Sequence, residues 1–192
     1  MSEVSATVSA IERGTIRTLT AREMPLLREH LLRLDPSSRR DRFNGVIDES
    51  FIDSYAARCL ADGTVVIAYV RDEQVLAAAE LHLPDSSPDG MPEIAFSVEQ
   101  HVRRKGIGSI LFRRLIAEAE GRGYEKLRIT TGYSNEAMRA LAHKFGAHLT
   151  FRHGESSGNI NLKPIVLPAV AASSVPMTAH TDVLDARAPS SP

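Results

Sequence analysis

Seven consecutive residues carry the clearest chemistry in the chain: Arg103-Arg104-Lys105-Gly106-Ile107-Gly108-Ser109. Gly106 and Gly108 permit backbone conformations, and a closeness of approach, that side chains forbid. Ile107, Ile110, Leu111, Leu115 and Ala119 recur at helical spacing, so the bend opens a helix. The first amides of a helix have no intrahelical partner, and the positive end of the helix dipole lies there. Such a bend suits an anion, above all a phosphate. Arg103, Arg104 and Lys105 add charge-assisted donors, for example to a nucleotide's 3′-phosphate. A Walker loop needs Gly-Lys followed by Ser or Thr, and no such run occurs. A dinucleotide fingerprint needs a third glycine where Leu111 stands, and belongs at the first β-α turn of its fold. Both common phosphate loops are excluded.

The bend has to be held by its neighbours. Glu93 to Val98 reads as the strand entering it, with Glu93, Ala95 and Ser97 on one face and Ile94, Phe96 and Val98 on the other. After the bend helix, Lys126 to Thr131 is a strand, and two strands joined by a helix are expected to be parallel. Asn135 to Phe145 is a further helix stopped by Gly146. Ala147 to His153 and Asn159 to Leu162 are expected as closing strands. Upstream, Thr15 to Leu19 is a first strand, and Glu23 to Leu34 a helix that Asp35-Pro36 stops. Asp48 caps a second helix from Glu49 to Leu60. Thr64 to Val70 and Val75 to Leu83 form a hairpin, and Pro84 to Pro92 is a long loop, either a wall of a cleft or a plain hairpin tip. The order β-α-α-β-β-β-α-β-α-β-β implies an α/β protein with a mixed, mostly antiparallel sheet of six to seven strands and helices on both faces. Residues 1–10 read as a flexible terminus, 11–165 as one domain, and 166–192, rich in Ala, Ser, Thr and Pro, as a disordered or loosely docked tail.

Arg103-x-x-Gly106-x-Gly108 after a strand and before a helix resembles the GNAT acyltransferase superfamily. Val98 five residues before Arg103, and Asn135-x-x-Met138-x-x-Leu141 followed by Phe145-Gly146, resemble the family's loop strand and its second cofactor-contacting helix. The likeness spans about Gly14 to Leu162. Leu34-Asp35-Pro36-Ser37-Ser38-Arg39-Arg40-Asp41-Arg42-Phe43 is similar to a segment of bacterial protein lysine acetyltransferases. The resemblance implies acetyl-CoA as acyl donor and no metal. It implies that main-chain amides of Arg104, Lys105, Gly106, Ile107, Gly108 and Ser109 hold the pyrophosphate. Main-chain groups near Ser97 and Val98 would pair with the pantetheine arm, and Asn135 would lie beside the pantetheine or acetyl end.

A lysine amine has a pKa near 10.4, so about one in a thousand is a free nucleophile at pH 7.4, a deficit of about 4 kcal/mol. Glu93 is the candidate general base, since Glu93-Ile94-Ala95-Phe96 resembles the strand bearing the catalytic glutamate in related enzymes; the plainer alternative is a solvated strand-start residue. Glu80 and His82 share a face of the preceding strand and could contribute to the chemistry, with alternation on a half-exposed strand as the simpler explanation. Ala142 stands where many relatives place a tyrosine acid; Tyr133 is a substitute on paper, with packing as its other reading. His143, His148 and His153 have no metal-ligand spacing, and Cys59 reads as a core residue. Arg39, Arg40 and Arg42 form either a solvated turn or a contact to an acidic protein or CoA.

The 192 residues allow one domain with a sizeable core, and 43% hydrophobic with 24% charged residues is ordinary for a globular protein. Lys plus Arg at 23 against Asp plus Glu at 24 argues against nucleic-acid or membrane-surface binding. The single cysteine excludes an internal disulfide framework and, with no charged-then-apolar leader, points to the cytoplasm. The expected activity is an N-acetyltransferase acting on a protein lysine or small amine, as monomer or homodimer. The alternative is a non-catalytic acyl-CoA-binding module, which Ala142 favours.

Overall fold

The computed structural model describes residues 14–84, 90–152 and 154–162. The expected ends, 1–10 and 166–192, lie outside these residues, as do His153 and most of the Pro84 to Pro92 loop. Seven strands form one sheet in the order β1-β2-β3-β4-β5-β7-β6. In chain order they are β1 (Thr15–Thr18), β2 (Val65–Arg71), β3 (Gln74–His82), β4 (Glu93–Val98), β5 (Lys126–Gly132), β6 (His148–Arg152) and β7 (Glu155–Asn161). Every pairing is antiparallel except β4 with β5, which the helical crossover makes parallel. Five α-helices lie among the described residues: α1 (Met24–Arg33), α2 (Pro36–Phe43), α3 (Glu49–Ala61), α4 (Ile107–Gly121) and α5 (Glu136–Lys144). None is long and apolar enough to cross a membrane.

The sheet is covered on both faces. Val66, Ala68 and Val70 of β2 pack with Leu27 and Leu31 of α1 and Ile52 of α3. Ile67 and Tyr69 of the same strand turn to the other core, with Leu111, Phe112 and Leu115 of α4 and Met138 and Ala142 of α5. Burial from both sides explains why Val65 to Val70 reads as an unbroken apolar run. Phe112 stacks between Phe96 of β4 and Phe145 after α5, with centroids 4.9 and 4.3 Å apart, and so joins the loop helix to its neighbours.

The structure adds one helix to the expected order. Asp35 does end α1, but its side chain then accepts from the Ser38 amide at 2.9 Å and caps α2. Asp at the cap followed by Pro is a start signal as much as a stop. Arg39, read as part of either a solvated turn or a contact to an acidic protein or CoA, lies in this helix and donates to the Leu32 carbonyl at the end of α1 (2.6 Å). The last strand begins at Glu155 rather than Asn159. Its Ser-Ser-Gly start has weak strand propensity, and pairing with β5 and β6 on either side imposes the extended form.

Candidate active site

The bend between β4 and α4 is held from below and open above. Buried Val102 and Ile107 anchor its two ends, while Arg103, Arg104, Lys105 and Gly106 are exposed. Arg104 and Gly106 both adopt left-handed backbone (φ 62° and 81°), the alternation that turns successive amides into one concavity. No side chain caps Gly106, and the Ile110 amide is the one that closes on the Gly106 carbonyl (3.1 Å). The amides of Ile107, Gly108 and Ser109 therefore precede the helical ladder. A Cβ on Gly108 would meet only Leu141 Cδ2, at an ordinary 3.6 Å, so internal packing does not demand glycine there. Lys144 of α5 donates to Ser109 Oγ at 3.1 Å and brings to the bend a cation that no sequence motif marks.

The Arg103 side chain turns away from this concavity. Its Nε donates to the Val98 carbonyl (3.0 Å), and a terminal nitrogen donates to Ser38 Oγ of α2 (2.5 Å).

Beside the bend, the sheet parts. β4 and β5 pair only at Glu93 with Arg128 and Ile94 with Ile129. The Glu99 amide donates to the Leu76 carbonyl (3.0 Å), which sets the alternation along β4. Ser97 then directs its main chain to β3, whereas Phe96 and Val98 direct theirs into the gap. Buried Ser97 has its hydroxyl on His30 Nε2 (2.9 Å), and His30 Nδ1 lies 3.1 Å from Glu99 Oε1. Burial would push the Glu99 carboxyl up, but His30 and Arg33 outweigh it and hold it below its ordinary value. Phe96 is thus an edge residue that motif reading did not single out; strand alternation, once one bond is known, finds it.

A cavity of about 540 Å³ fills this region. β4 contributes Glu93 through Phe96, β5 contributes Thr130 and Thr131, and the α5 end contributes Asn135 and Met138. Asn135 also caps α5, its side-chain oxygen accepting from the Met138 amide at 3.0 Å. The rest of the wall comes from Asp41 and Arg42 of α2, Tyr55, Arg58 and Cys59 of α3, and His82 of β3, the cross-strand neighbour of Glu93.

Glu80 is the fully buried charge behind that wall. Arg42 donates to its Oε1 (2.9 Å) and Tyr55 donates to its Oε2 (2.5 Å), and Arg42 also donates to the Tyr55 oxygen. Burial alone would push the Glu80 carboxyl up; Arg42, His82 and Tyr55 overcome it and hold the group well below the usual carboxylate range. The same burial pushes the Tyr55 hydroxyl well above its ordinary value. His82 Nε2 is 3.0 Å from the Tyr55 oxygen and Nδ1 is 3.3 Å from Thr64 Oγ1, so both ring nitrogens are engaged. The sequence did hold a signal for this network: a glutamate inside the apolar run Val75 to Leu81 needs a buried cation, and Arg42 is it.

Glu93 differs. It is half-buried, pairs in register with His82 on the same sheet face, and its side chain has no hydrogen bond or ion pair among the described residues. Tyr133, the substitute acid on paper, is 56% exposed, packs against Phe151 with ring centroids 4.7 Å apart and planes tilted by 50°, and lines a separate recess of about 300 Å³. Ala142 is wholly buried in the core. Cys59 is buried against Glu80, and its thiol is pushed up to about 12 by burial and by that carboxylate. Arg113 and Arg114 are exposed on α4. His143 and His148 are exposed as well, and no His, Cys, Asp and Glu group among the described residues has metal-site geometry.

Strand, glycine bend and helix follow one another in the order that carried the sequence resemblance. The sequence model of the Acetyltransferase (GNAT) family matches residues 27–147. The chain belongs to the GNAT acetyltransferase family. Solved GNAT structures share the fold. The GNAT domain of S. lividans PAT superposes with a TM-score of 0.64 at 18% identity, over 78% of this chain and 90% of that one. The putative acetyltransferase yncA of Salmonella typhimurium, solved with acetyl-CoA, gives 0.57 at 19% identity over 82% and 99%. A phosphinothricin acetyltransferase of Sinorhizobium meliloti, also with acetyl-CoA, gives 0.56 at 16% over 78% and 89%. No curated protein matches the chain. Among such GNAT neighbours the named acceptors differ, from phosphinothricin to a ribosomal-protein alanine.

Proposed function

We propose that this GNAT protein moves an acetyl group from acetyl-CoA to a primary amine, with Glu93 taking the amine's proton. The observation that carries the reading is spatial: β4 brings Glu93 through Phe96 to the cavity, parts from β5 beyond Ile94, and leads on into the amide-lined bend. The residues present fit acetyl-CoA. The amides of Ile107, Gly108 and Ser109 suit its pyrophosphate, Arg104 and Lys105 its outer charge, and the Phe96 and Val98 main chain its amide-bearing arm. Bound there, acetyl-CoA supplies an activated acyl group.

The protein's own part is positional and acid-base. Asp41, Asp62 and Glu93 line the cavity, and Glu93 is the one carried on β4, the strand that parts from β5; buried Glu80 is already committed to Arg42 and Tyr55. A desolvated amine that gives its proton to Glu93, directly or through a water, becomes a nucleophile; general-base help of this kind contributes about 10²- to 10⁴-fold. Asn135 lies at the far side of the gap, where its side chain is already oriented by the α5 cap. Buried Ala142 brings no hydroxyl to the site, and on this reading the departing thiolate takes its proton from water.

The acceptor is a protein lysine or a small amine, and the partner is a polypeptide in the first case. A cytoplasmic setting fits the single cysteine. The second reading, an acyl-CoA-binding module without turnover, is favoured by the buried Ala142.

Release of free CoA thiol from acetyl-CoA with a panel of amines and lysine peptides separates the two. Turnover with at least one acceptor is expected, and none with any acceptor, while CoA still binds, supports the second reading. Glu93→Gln is expected to lower kcat about 10²- to 10⁴-fold with CoA affinity unchanged. Unchanged turnover removes Glu93 from the chemistry.

A further inference from the structure

α2 touches both halves of the site. Its eight residues span about 12 Å at the helical rise. At its N-terminal end, Asp35 accepts from Ser37 Oγ (2.6 Å) and from the Ser38 amide and hydroxyl, and these bonds hold its carboxyl well below the usual range. Ser38, having given its proton to Asp35, accepts from Arg103 (2.5 Å), and Arg103 in turn donates to the Val98 carbonyl (3.0 Å). A directed chain therefore runs from the edge of the sheet gap, through the bend, to the first turn of α2. At the other end, Arg42 is pinned to Glu80 (2.9 Å), the Asn44 amide donates to Glu155, and Asp41 and Arg42 border the cavity.

We propose that Arg103 and Ser38 are positioning residues that couple the cofactor site to the acceptor site through α2. The inference rests on the reading that acetyl-CoA occupies the bend and the gap. An amide-bearing chain lying along β4 seeks the Val98 carbonyl, which Arg103 already holds. When Arg103 yields that carbonyl, its hold on Ser38 goes with it, because one guanidinium makes both bonds. The first turn of α2 then loses its tie to the bend, keeping the Asp35 cap and the Arg39 bond to Leu32, while the last turn stays on Glu80, so the cavity wall at Asp41 and Arg42 responds to what fills the bend. Coupling of this kind is reciprocal: whatever factor CoA imposes on acceptor affinity, the acceptor imposes on CoA affinity.

Hydrogen–deuterium exchange of the full chain, with and without saturating CoA, tests the coupling. Amides of Arg39 to Asn44 are expected to exchange about 3- to 10-fold differently once CoA binds, the range that one lost charge-assisted bond at a partly exposed site gives. Ser38→Ala removes the acceptor of Arg103 and keeps the backbone amide that bonds Asp35. In that variant the exchange without CoA is expected at the CoA-bound level, the CoA-dependent change to vanish, and CoA to bind about 3- to 10-fold more tightly. A purely structural role for Ser38 leaves the CoA-dependent difference in place. Identical α2 exchange with and without CoA, in protein that calorimetry shows to be CoA-bound, overturns the coupling alone. No heat with CoA in the unmodified protein overturns the functional reading, and the coupling with it.

Discussion

Arg42 is the partner that permits a charge at Glu80, where no surface is exposed. Arg42→Met keeps the length of the stem and removes the guanidinium. Glu80 then retains Tyr55 and His82 but no buried positive charge. Removing one partner of a buried pair costs about 3–5 kcal/mol. For a domain of this size each kcal/mol moves the midpoint by roughly 2–4 °C, so Tm is expected to fall by about 6–20 °C. The pH dependence follows from the direction of the shift. In the unmodified protein Glu80 is held below its unfolded value, so its contribution is complete above that value and is lost as pH falls through the folded one. Without Arg42, burial pushes the carboxyl above the unfolded value of about 4.3 instead, so the deficit is largest at neutral pH and shrinks in acid. Arg42→Met with Glu80→Gln, which lacks both charges and can still accept from Tyr55, is expected to recover most of the loss. Urea and thermal unfolding at pH 7.5 and pH 4 measure all three. A loss under about 1 kcal/mol for the single variant, or a double variant no more stable than the single, would refute the reasoning.

Three further outcomes follow from backbone geometry and burial. Gly106→Ala meets no atom within 4 Å but must hold φ at 81°; it is expected to cost about 1–2 kcal/mol and to weaken CoA binding about tenfold, whereas Gly108→Ala, in ordinary contact with Leu141, keeps stability within about 0.5 kcal/mol. Calorimetry with CoA and urea unfolding check both, and equal effects at the two glycines would show that left-handed backbone is not what matters at Gly106. Gly158→Ala places a methyl 2.1 Å from the His148 carbonyl oxygen, which is main chain and cannot swing aside; urea unfolding is expected to show a loss of about 2–4 kcal/mol, and a neutral result would count against the β6–β7 register. Cys59, buried with its thiol pushed up to about 12, is expected to resist iodoacetamide at pH 7.5 when folded and to react fully in urea; rapid labelling of the folded chain, read by mass spectrometry, would place it at the surface.

Read alone, the sequence determined the features that depend on neighbouring residues. The glycine bend, the Asp48 cap, the Asn135-led helix and the strand from Glu93 to Val98 follow from dihedral preference, capping and periodicity, and these act over a few residues. Where a local signal had two meanings, it was not enough: Asp35-Pro36 ends one helix and begins another, and only the packed structure shows both. Tertiary structure alone decided which main-chain groups of β4 face the gap, because that direction is set by Glu99 bonding to Leu76 on another strand. It also decided that Arg42, Tyr55, Glu80 and His82 are one network and that Arg103 reaches Ser38, pairs separated by 13 to 65 residues in the chain. Such contacts carry no local signature, since what brings them together is the order of strands in the sheet and the burial that makes an unpaired charge too costly to leave.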